Sequence, residues 1–317
     1  MAEFDLDIRP FQPDDLPAVL DLLRASLGET TALQRTPELF EWKHIINPFG
    51  RSLMLVATDG DVIAGFRAFM RWELERPNGP TLRCVRAVDT ATHPDYRRRG
   101  IFRHLTLAAL DAARHDDVDM VFNTPNPRSG AGYLTMGWST VGTIRPLASP
   151  ARGILRSAPD TTELPDPPDF YDSPPPIVEL PFPDRPALGL RTPRSPDYQK
   201  WRFTRHPTAR YITIDGRSGG SVARLAYRGK HRELLLSELY GDGAARTIWR
   251  ARYRARSSYV GAFFTSGSPE RRAVLRSGFA PVPGATMTLM ARPLRDLGFD
   301  PTDLGQWDLS LGDLELL

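Results

Sequence analysis

The chain has little cysteine, little net charge and no long apolar run, and each shortage excludes a class of protein. One residue of 317 is cysteine, Cys84, which excludes an internal disulfide framework and a zinc site built on cysteines. No apolar run approaches the roughly 18 residues that a membrane helix needs. The formal net charge is only +3, whereas a nucleic-acid-binding protein is expected to be strongly basic. We therefore expect no metal, no nucleic acid and no membrane among its partners.

The first residues, the composition and the length of the chain are those of an ordinary globular protein. The first residues, Met1 to Asp5, are acidic and lack the apolar segment of a secretory signal, which indicates the cytoplasm. Charged residues make up 25% and hydrophobic residues 41% of the chain, as in globular domains. The length suggests about two domains.

Proline, by contrast, is plentiful and clustered. Nine of the 30 prolines lie between Pro165 and Pro186, where neither long helices nor central strands are expected. The composition predicts a first domain over 1–150, a proline-rich linker over 151–190, and a second domain over 191–317.

The stretch from His93 to Phe102 is a basic turn between a strand and a helix. An apolar run over 82–92 precedes it, and Ile101, Leu105, Ala108 and Ala112 follow at helical spacing. Amides at a helix start are unpaired and the helix dipole adds positive potential, so the turn predicts a seat for an anion, most often phosphate. Gly100 would let the backbone approach that ligand closely.

The second half repeats features of the first. Trp42 and Trp201, and likewise Pro48 and Pro207, are separated by the same offset. The order strand, strand, strand, helix, strand, helix, strand can be followed in both halves. Duplication of one unit explains this order; the alternative is two similar α/β layers with chance matches of tryptophan and proline.

Two motifs of the first half resemble those of the GNAT superfamily of acyl-CoA-dependent N-acyltransferases. Arg97-Arg98-Arg99-Gly100-Ile101 fits the family turn, although Phe102 stands where glycine or alanine is usual. The second motif has asparagine, a small residue, tyrosine and Gly-Phe at fixed spacing, and here these places hold Asn126, Ser129, Tyr133, Gly137 and Trp138. The resemblance covers about residues 5–145, and the tandem arrangement is similar to that of the Eis-type acetyltransferases.

The resemblance implies the fold and the cofactor. It implies an α/β (α+β) fold of tandem GNAT-like units, each a mixed, mostly antiparallel sheet flanked by helices, with the second unit degenerate. The cofactor would be acetyl-CoA or another acyl-CoA, with its pantetheine beside the strand at Asp89–Thr92. Its expected contacts are Thr90, Ala91, Thr92, Arg97, Arg98, Arg99, Gly100, Ile101, Phe102, Arg103, Asn126 and Ser129. Asn126 has a second interpretation, as a turn residue before Pro127.

Two residues are the candidates for proton transfer. Tyr133 would be the general acid for the leaving thiolate, since a phenol pKa near 10 is close to that of a thiol; alternatively it packs in the core. Asp89 on the central strand would be the base that deprotonates the amine, or else a structural hydrogen-bond acceptor.

Other residues are candidates for the acceptor pocket. Trp42 and His44 could line it, although core packing and a structural histidine are the alternatives. The carboxylate of Leu317 could reach the active site, as a terminal carboxylate does in Eis-type enzymes. Cys84 is expected to be an inert strand residue.

The departures of the second half predict that it does not bind CoA. Tyr240-Gly241-Asp242-Gly243 replaces the arginine turn, and Val274 and Gly267 occupy the tyrosine and asparagine positions. The sequence thus predicts an N-acetyltransferase that acts on a primary amine of a small molecule by direct transfer, and a homodimer is possible. The alternative is a non-catalytic acyl-CoA-binding protein.

Overall fold

The computed structural model describes residues 6–29, 34–151, 187–216, 219–228, 231–241, 244–254 and 257–314. These residues fall into two units that are not contiguous in sequence. The first takes in Met1–Leu74, Pro80–Val141 and Leu289–Thr302, and the second Glu75–Gly79, Gly142–Thr288 and Asp303–Leu317. Most of the predicted linker, and Leu317, lie outside the described residues.

The strands and helices of the first half alternate much as the sequence predicts. The strands are β1 (Asp7–Pro10), β2 (Leu53–Asp59), β3 (Val62–Arg76), β4 (Gly79–Thr92), β5 (Met120–Asn123), β6 (Ser139–Ile144) and β7 (Leu147–Pro150). The helices are α1 (Leu16–Leu27), α2 (Pro37–His44), α3 (Ile101–His115) and α4 (Pro127–Thr135).

The second half repeats this order over its described residues. Its strands are β8 (Arg210–Gly216), β9 (Gly219–Arg228), β10 (His231–Gly241), β11 (Tyr259–Ala262), β12 (Ala280–Pro281) and β13 (Met287–Pro293). Its helices are α5 (Pro196–Gln199), which continues into a π-helical turn at Lys200–Thr204, α6 (Ala244–Arg254), α7 (Pro269–Arg276) and α8 (Leu311–Leu314). No helix in the described part of the chain is long and apolar enough to cross a membrane.

Two mixed sheets carry these elements, which confirms the predicted fold class. One has seven strands in the order β1-β2-β3-β4-β5-β13-β6, and the other six in the order β12-β7-β11-β10-β9-β8. Most of the pairings are antiparallel, but β4 and β5 run parallel, as do β10 and β11. Each sheet therefore contains a parallel pair at the same place in its repeat.

The two sheets exchange their late strands. β13 pairs with β5, with Met290 opposite Asn123, although it belongs to the second half of the sequence. β7 of the first half pairs with β11, with Leu147 opposite Ala262. The boundaries 1–150 and 191–317 do not anticipate this exchange, because an alternating pattern identifies a strand without identifying its partner.

Local sequence signals explain most element boundaries. Thr36 caps α2 by accepting from the Leu39 amide at 3.2 Å, and Gly60 supplies the positive φ of the β2–β3 turn. The buried face of α3 begins at Ile101 and Leu105 as predicted. Further along it lies at Ala109 and Ala113, one residue beyond the predicted Ala108 and Ala112.

Candidate active site

The basic turn leads directly into the start of α3. Gly100 caps the helix in the left-handed conformation, with φ 77°, and no side chain caps it. The amide of His104 donates to the Gly100 carbonyl at 3.0 Å, as the first bond of the helix ladder. The amides ahead of His104 therefore have no partner within the helix, so the local geometry is that of an anion seat.

Gly65 on β3 allows this helix start to lie against the sheet. A Cβ at Gly65 would be 2.5 Å from Ile101 Cγ2 and 2.9 Å from Leu105 Cδ1, closer than real side chains approach. The missing side chain on the strand therefore sets the height of the anion seat above the sheet.

Arginine side chains surround the turn on its solvent side. Arg97, Arg98, Arg99 and Arg103 are all exposed. The guanidinium of Arg99 lies 4.8 Å from the centre of the Tyr96 ring, and the Tyr96 hydroxyl donates to Asp59 at 2.8 Å. The arginine side chains and the helix amides therefore both contribute positive potential at the start of α3.

β4 and β5 separate just before the predicted pantetheine strand. Their pairing runs from Cys84–Met120 to Arg86–Phe122 in the described register, whereas β4 continues to Thr92. Asp89 interrupts the extended backbone of β4 with a φ of 42°. The separation leaves Thr90, Ala91 and Thr92 beyond the registered pairs, although the Thr92 carbonyl accepts from Ser26 Oγ at 3.0 Å.

Asn126 caps α4. Its Oδ1 accepts from the amides of Arg128 and Ser129, both at 3.0 Å, and Ser129 Oγ donates to it at 3.1 Å. This geometry matches the turn interpretation of Asn126, and a cofactor contact at Asn126 or Ser129 stays a prediction.

Tyr133 is buried beside the first turn of α3. Its hydroxyl accepts a hydrogen bond from Arg67 Nη1 at 2.8 Å, and its ring meets that of Phe102 edge-on at 5.4 Å. Phe102 fits there because the neighbouring helix residue is Gly132, where a Cβ would lie 2.8 Å from Phe102 Cε1. The departure of Phe102 from the family pattern is thus matched by a glycine on the facing helix.

Asp89 lies beside two cations and a histidine, which counts against its predicted role as the base. Its carboxylate is 2.7 Å from Lys43 Nζ, 2.9 Å from His44 Nε2 and 3.5 Å from Arg35 Nη1. Although burial would raise the pKa of Asp89, the charges of Lys43 and Arg35 and the hydrogen bond from His44 hold that pKa well below its usual range. A carboxylate with so low a pKa is a weak proton acceptor at neutral pH, so the structural alternative fits better.

The predicted acceptor-pocket residues Trp42 and His44 are buried instead. Trp42 is 2% exposed and His44 0%, which matches the alternatives of core packing and a structural histidine. Burial lowers the pKa of His44, which keeps the ring neutral. Since the Asp89 carboxylate only accepts, Nε2 carries the proton, and Nδ1 accepts from Ser52 Oγ at 2.9 Å. Both ring nitrogens are therefore engaged inside the protein.

Three residues of this region were not predicted from the sequence to belong to the site. Arg67, Lys43 and Ser52 are buried beside the predicted site residues. Only Arg67 carried a signal, because it interrupts the apolar run of β3 between Phe66 and Ala68. Lys43 and Ser52 lie in ordinary polar contexts, and nothing in the sequence marks them.

The second half differs from the first at the motif positions where degeneracy is predicted. Val274, at the tyrosine position, is fully buried, and Gly267, at the asparagine position, has a φ of 92°. Ser268 rather than an asparagine caps α7, accepting from the Arg271 amide at 3.0 Å.

Comparison with known proteins agrees with the motifs of the first half. The sequence model of the acetyltransferase (GNAT) domain matches residues 7–141. Residues 7–141 are therefore similar in sequence to a GNAT acetyltransferase domain. No curated protein matches the chain.

Solved structures share the fold over both halves, beyond the GNAT domain itself. A GCN5-related N-acetyltransferase from Anabaena variabilis has a TM-score of 0.60 at 12% identity, over 92% of this chain and 73% of its own. A putative acetyltransferase from Pyrococcus horikoshii has a TM-score of 0.56 at 15% identity, over 100% and 96%. Eis1 from Mycobacterium abscessus has a TM-score of 0.56 at 13% identity, over 91% and 73%.

Proposed function

We propose that the chain transfers an acyl group, acetyl in the first instance, from acyl-CoA to a primary amine of a small molecule by direct transfer. One observation carries the proposal. Phe102, in the first turn of the helix that forms the anion seat, packs edge-on against Tyr133 at 5.4 Å. Phe102 therefore links the seat proposed for the pyrophosphate to the candidate acid.

The residues of the GNAT domain suit the parts of acyl-CoA. The amides from Arg98 to Arg103 and the surrounding arginines would bind the pyrophosphate, and Thr90 to Thr92 would lie along the pantetheine. Acyl-CoA supplies the thioester carbonyl that the amine attacks. Tyr133 would then donate its hydroxyl proton to the leaving sulfur.

Asp89 has a different role in this proposal from the one that the sequence indicates. Its contacts with Lys43, His44 and Arg35 hold the positive φ at which β4 leaves its pairing with β5. We assign Asp89 to positioning Thr90–Thr92, since its low pKa makes it a poor proton acceptor. The acceptor amine would then reach the thioester already neutral.

The test starts with binding and turnover in the full chain. Calorimetry should show one acetyl-CoA bound per chain, since the second unit lacks the arginine turn, and CoA release should depend on an amine from a panel. Tyr133→Phe should lower kcat at least tenfold with little change in KM for acetyl-CoA. Tyr211→Phe is a matched control, because Tyr211 of the second unit also accepts a hydrogen bond from a buried arginine, Arg202.

The ion-paired state of Asp89 also favours a second candidate, an acyl-CoA-binding protein without catalysis. Its signature would be tight acetyl-CoA binding with no acceleration of CoA release by any amine.

For the first candidate, an equal loss of kcat in Tyr133→Phe and Tyr211→Phe would refute Tyr133 as the acid.

A further inference from the structure

Arg67 is a buried cation inside the first unit. It lies in the middle of β3 and is 0% exposed. Its Nη1 donates to the Tyr133 hydroxyl at 2.8 Å and also contacts Thr90 Oγ1. Its Nε and Nη2 are buried with no hydrogen-bond partner. Within the described ranges no carboxylate lies close enough to form an ion pair with it.

Burying an unpaired guanidinium is costly, so its surroundings matter. Three aromatic rings face it, with centroids 4.9 Å (Phe69), 5.8 Å (Phe102) and 5.3 Å (Tyr133) from its central carbon. Cation–π contacts of this kind recover only part of that cost. The rings therefore hold the guanidinium in place without neutralising its charge.

Arg194 in the second unit shows how the same chain buries a structural arginine. Its guanidinium bonds Asp313 at 2.7 Å and Glu238 at 2.9 Å, so two carboxylates offset its charge. Arg67 has no such partner in the described residues, and its charge is directed at a hydroxyl group. The charge of Arg67 is therefore available to act on the Tyr133 hydroxyl group.

The direction of the Arg67–Tyr133 hydrogen bond has a chemical consequence. A guanidinium has no acceptor, so the Tyr133 oxygen must accept, and its own proton must point away from Arg67. If Tyr133 gives that proton away, its oxygen becomes negative 2.8 Å from a cation, at a buried position. Arg67 can thus orient the proton and stabilise the phenolate that its transfer leaves.

We propose that Arg67 is a positioning residue that directs the Tyr133 hydroxyl proton to the leaving sulfur of acyl-CoA. The inference rests on the proposed function and adds a residue to it. As the carbon–sulfur bond breaks, the O–H bond of Tyr133 breaks and an S–H bond forms. The phenolate beside Arg67 regains a proton from solvent, which takes up the one lost by the attacking amine.

The test is a double-mutant cycle on the full chain with acetyl-CoA and the best amine of the panel. Arg67→Met should lower kcat at least tenfold while KM for acetyl-CoA stays within about twofold, because the loss falls on the proton-transfer step. Arg67→Lys, which keeps the charge and is the milder change for folding, should restore part of kcat. In the Tyr133→Phe background Arg67→Met should cause no further loss.

The outcomes separate the inference from the function on which it rests. A wild type that binds acetyl-CoA but acetylates no amine overturns both. An active wild type in which the Arg67→Met and Tyr133→Phe losses multiply shows that the two residues act independently and overturns the inference alone. If Arg67→Met fails to fold, Arg67→Lys replaces it in the test. A kcat of Arg67→Lys equal to that of the Tyr211→Phe control would then overturn the inference alone.

Discussion

At the scale of single residues, the GNAT domain contains two clusters of side chains whose contacts could not be predicted from the sequence. Tyr133 meets Arg67 and Phe102, whereas Asp89 meets Lys43 and His44. Each group joins residues that are distant in sequence, and each has its own chemistry. One holds a cation against a hydroxyl group, and the other neutralises a buried carboxylate.

Asp89→Asn should destabilise the chain by about 3 kcal/mol, because it leaves Lys43 buried without its ion-pair partner. The native pKa of Asp89 is lowered, so its contribution is fully present above its unfolded pKa of about 4 and is lost as pH falls below that value. Urea denaturation at pH 7 measures the change. Asp111→Asn, at an exposed helix pair with Arg114, is the control and should cost little. Equal losses in the two variants would contradict the assignment of Asp89.

Gly132→Ala should lower turnover, because its Cβ would press on the Phe102 ring and disturb Tyr133. Adding Phe102→Ala, which installs the small residue that the family usually has there, should recover part of the loss. Steady-state kinetics of both single variants and the double variant test this. Purely multiplicative losses would show that the contact between Gly132 and Phe102 has no bearing on the site.

At the scale of elements, the start of α3 depends on a strand residue and α8 on a buried charge cluster. Gly65 sets how closely the helix lies on β3. In the second unit, Arg194 holds α8 through Asp313, while Ser310 donates to Glu238 at 2.6 Å. Tertiary neighbours therefore fix where both elements lie.

Gly65→Val should weaken acetyl-CoA binding more than tenfold and destabilise the chain by about 2 kcal/mol, since it would force Ile101 away from the sheet. Calorimetry and thermal unfolding measure the two effects. Gly130→Ala is the control for stability, because a Cβ there meets nothing within 4 Å. Unchanged binding in Gly65→Val would show that the height of α3 does not set the anion seat.

Glu238→Gln should remove a pH dependence of stability. Burial raises the pKa of Glu238 to about 7, with Asp313 adding to the rise and Arg194 opposing it. Between an unfolded pKa of about 4.3 and about 7 the native chain binds more protons than the unfolded chain. Its stability therefore falls as pH rises through that window, by at most about 1.4 kcal/mol per unit. Urea titrations from pH 5 to 8 should show this slope in the wild type and in the exposed-site control Glu41→Gln, but not in Glu238→Gln.

At the scale of the whole molecule, the exchange of β7 and β13 ties the two halves of the sequence together. β13 lies between β5 and β6 in the seven-stranded sheet, and β7 lies between β11 and β12 in the other. Neither half of the sequence therefore contains all the strands of its own sheet.

A fragment of residues 1–150 should not fold as a stable domain, although it contains the whole GNAT match. Without β13, β5 becomes an open edge, β6 has no neighbour, and β7 lacks the strands it pairs with. Proteolysis and circular dichroism of the fragment beside the full chain test this expectation. A fragment that resists protease and binds acetyl-CoA as the full chain does would contradict it.

The sequence by itself predicted two similar α/β units and a helix start at Gly100 that can bind an anion, and the resemblance of its motifs to the GNAT superfamily implied the fold and the candidate acid Tyr133. Periodicity, a glycine at a helix start and motif spacing are all local along the chain. Only the tertiary structure decided that Asp89 is ion-paired, that Trp42 and His44 are buried, that Arg67 bonds Tyr133 and that β7 and β13 change sheets. Each of these depends on which distant segments become neighbours, and that choice is made by burial and strand pairing across the whole chain.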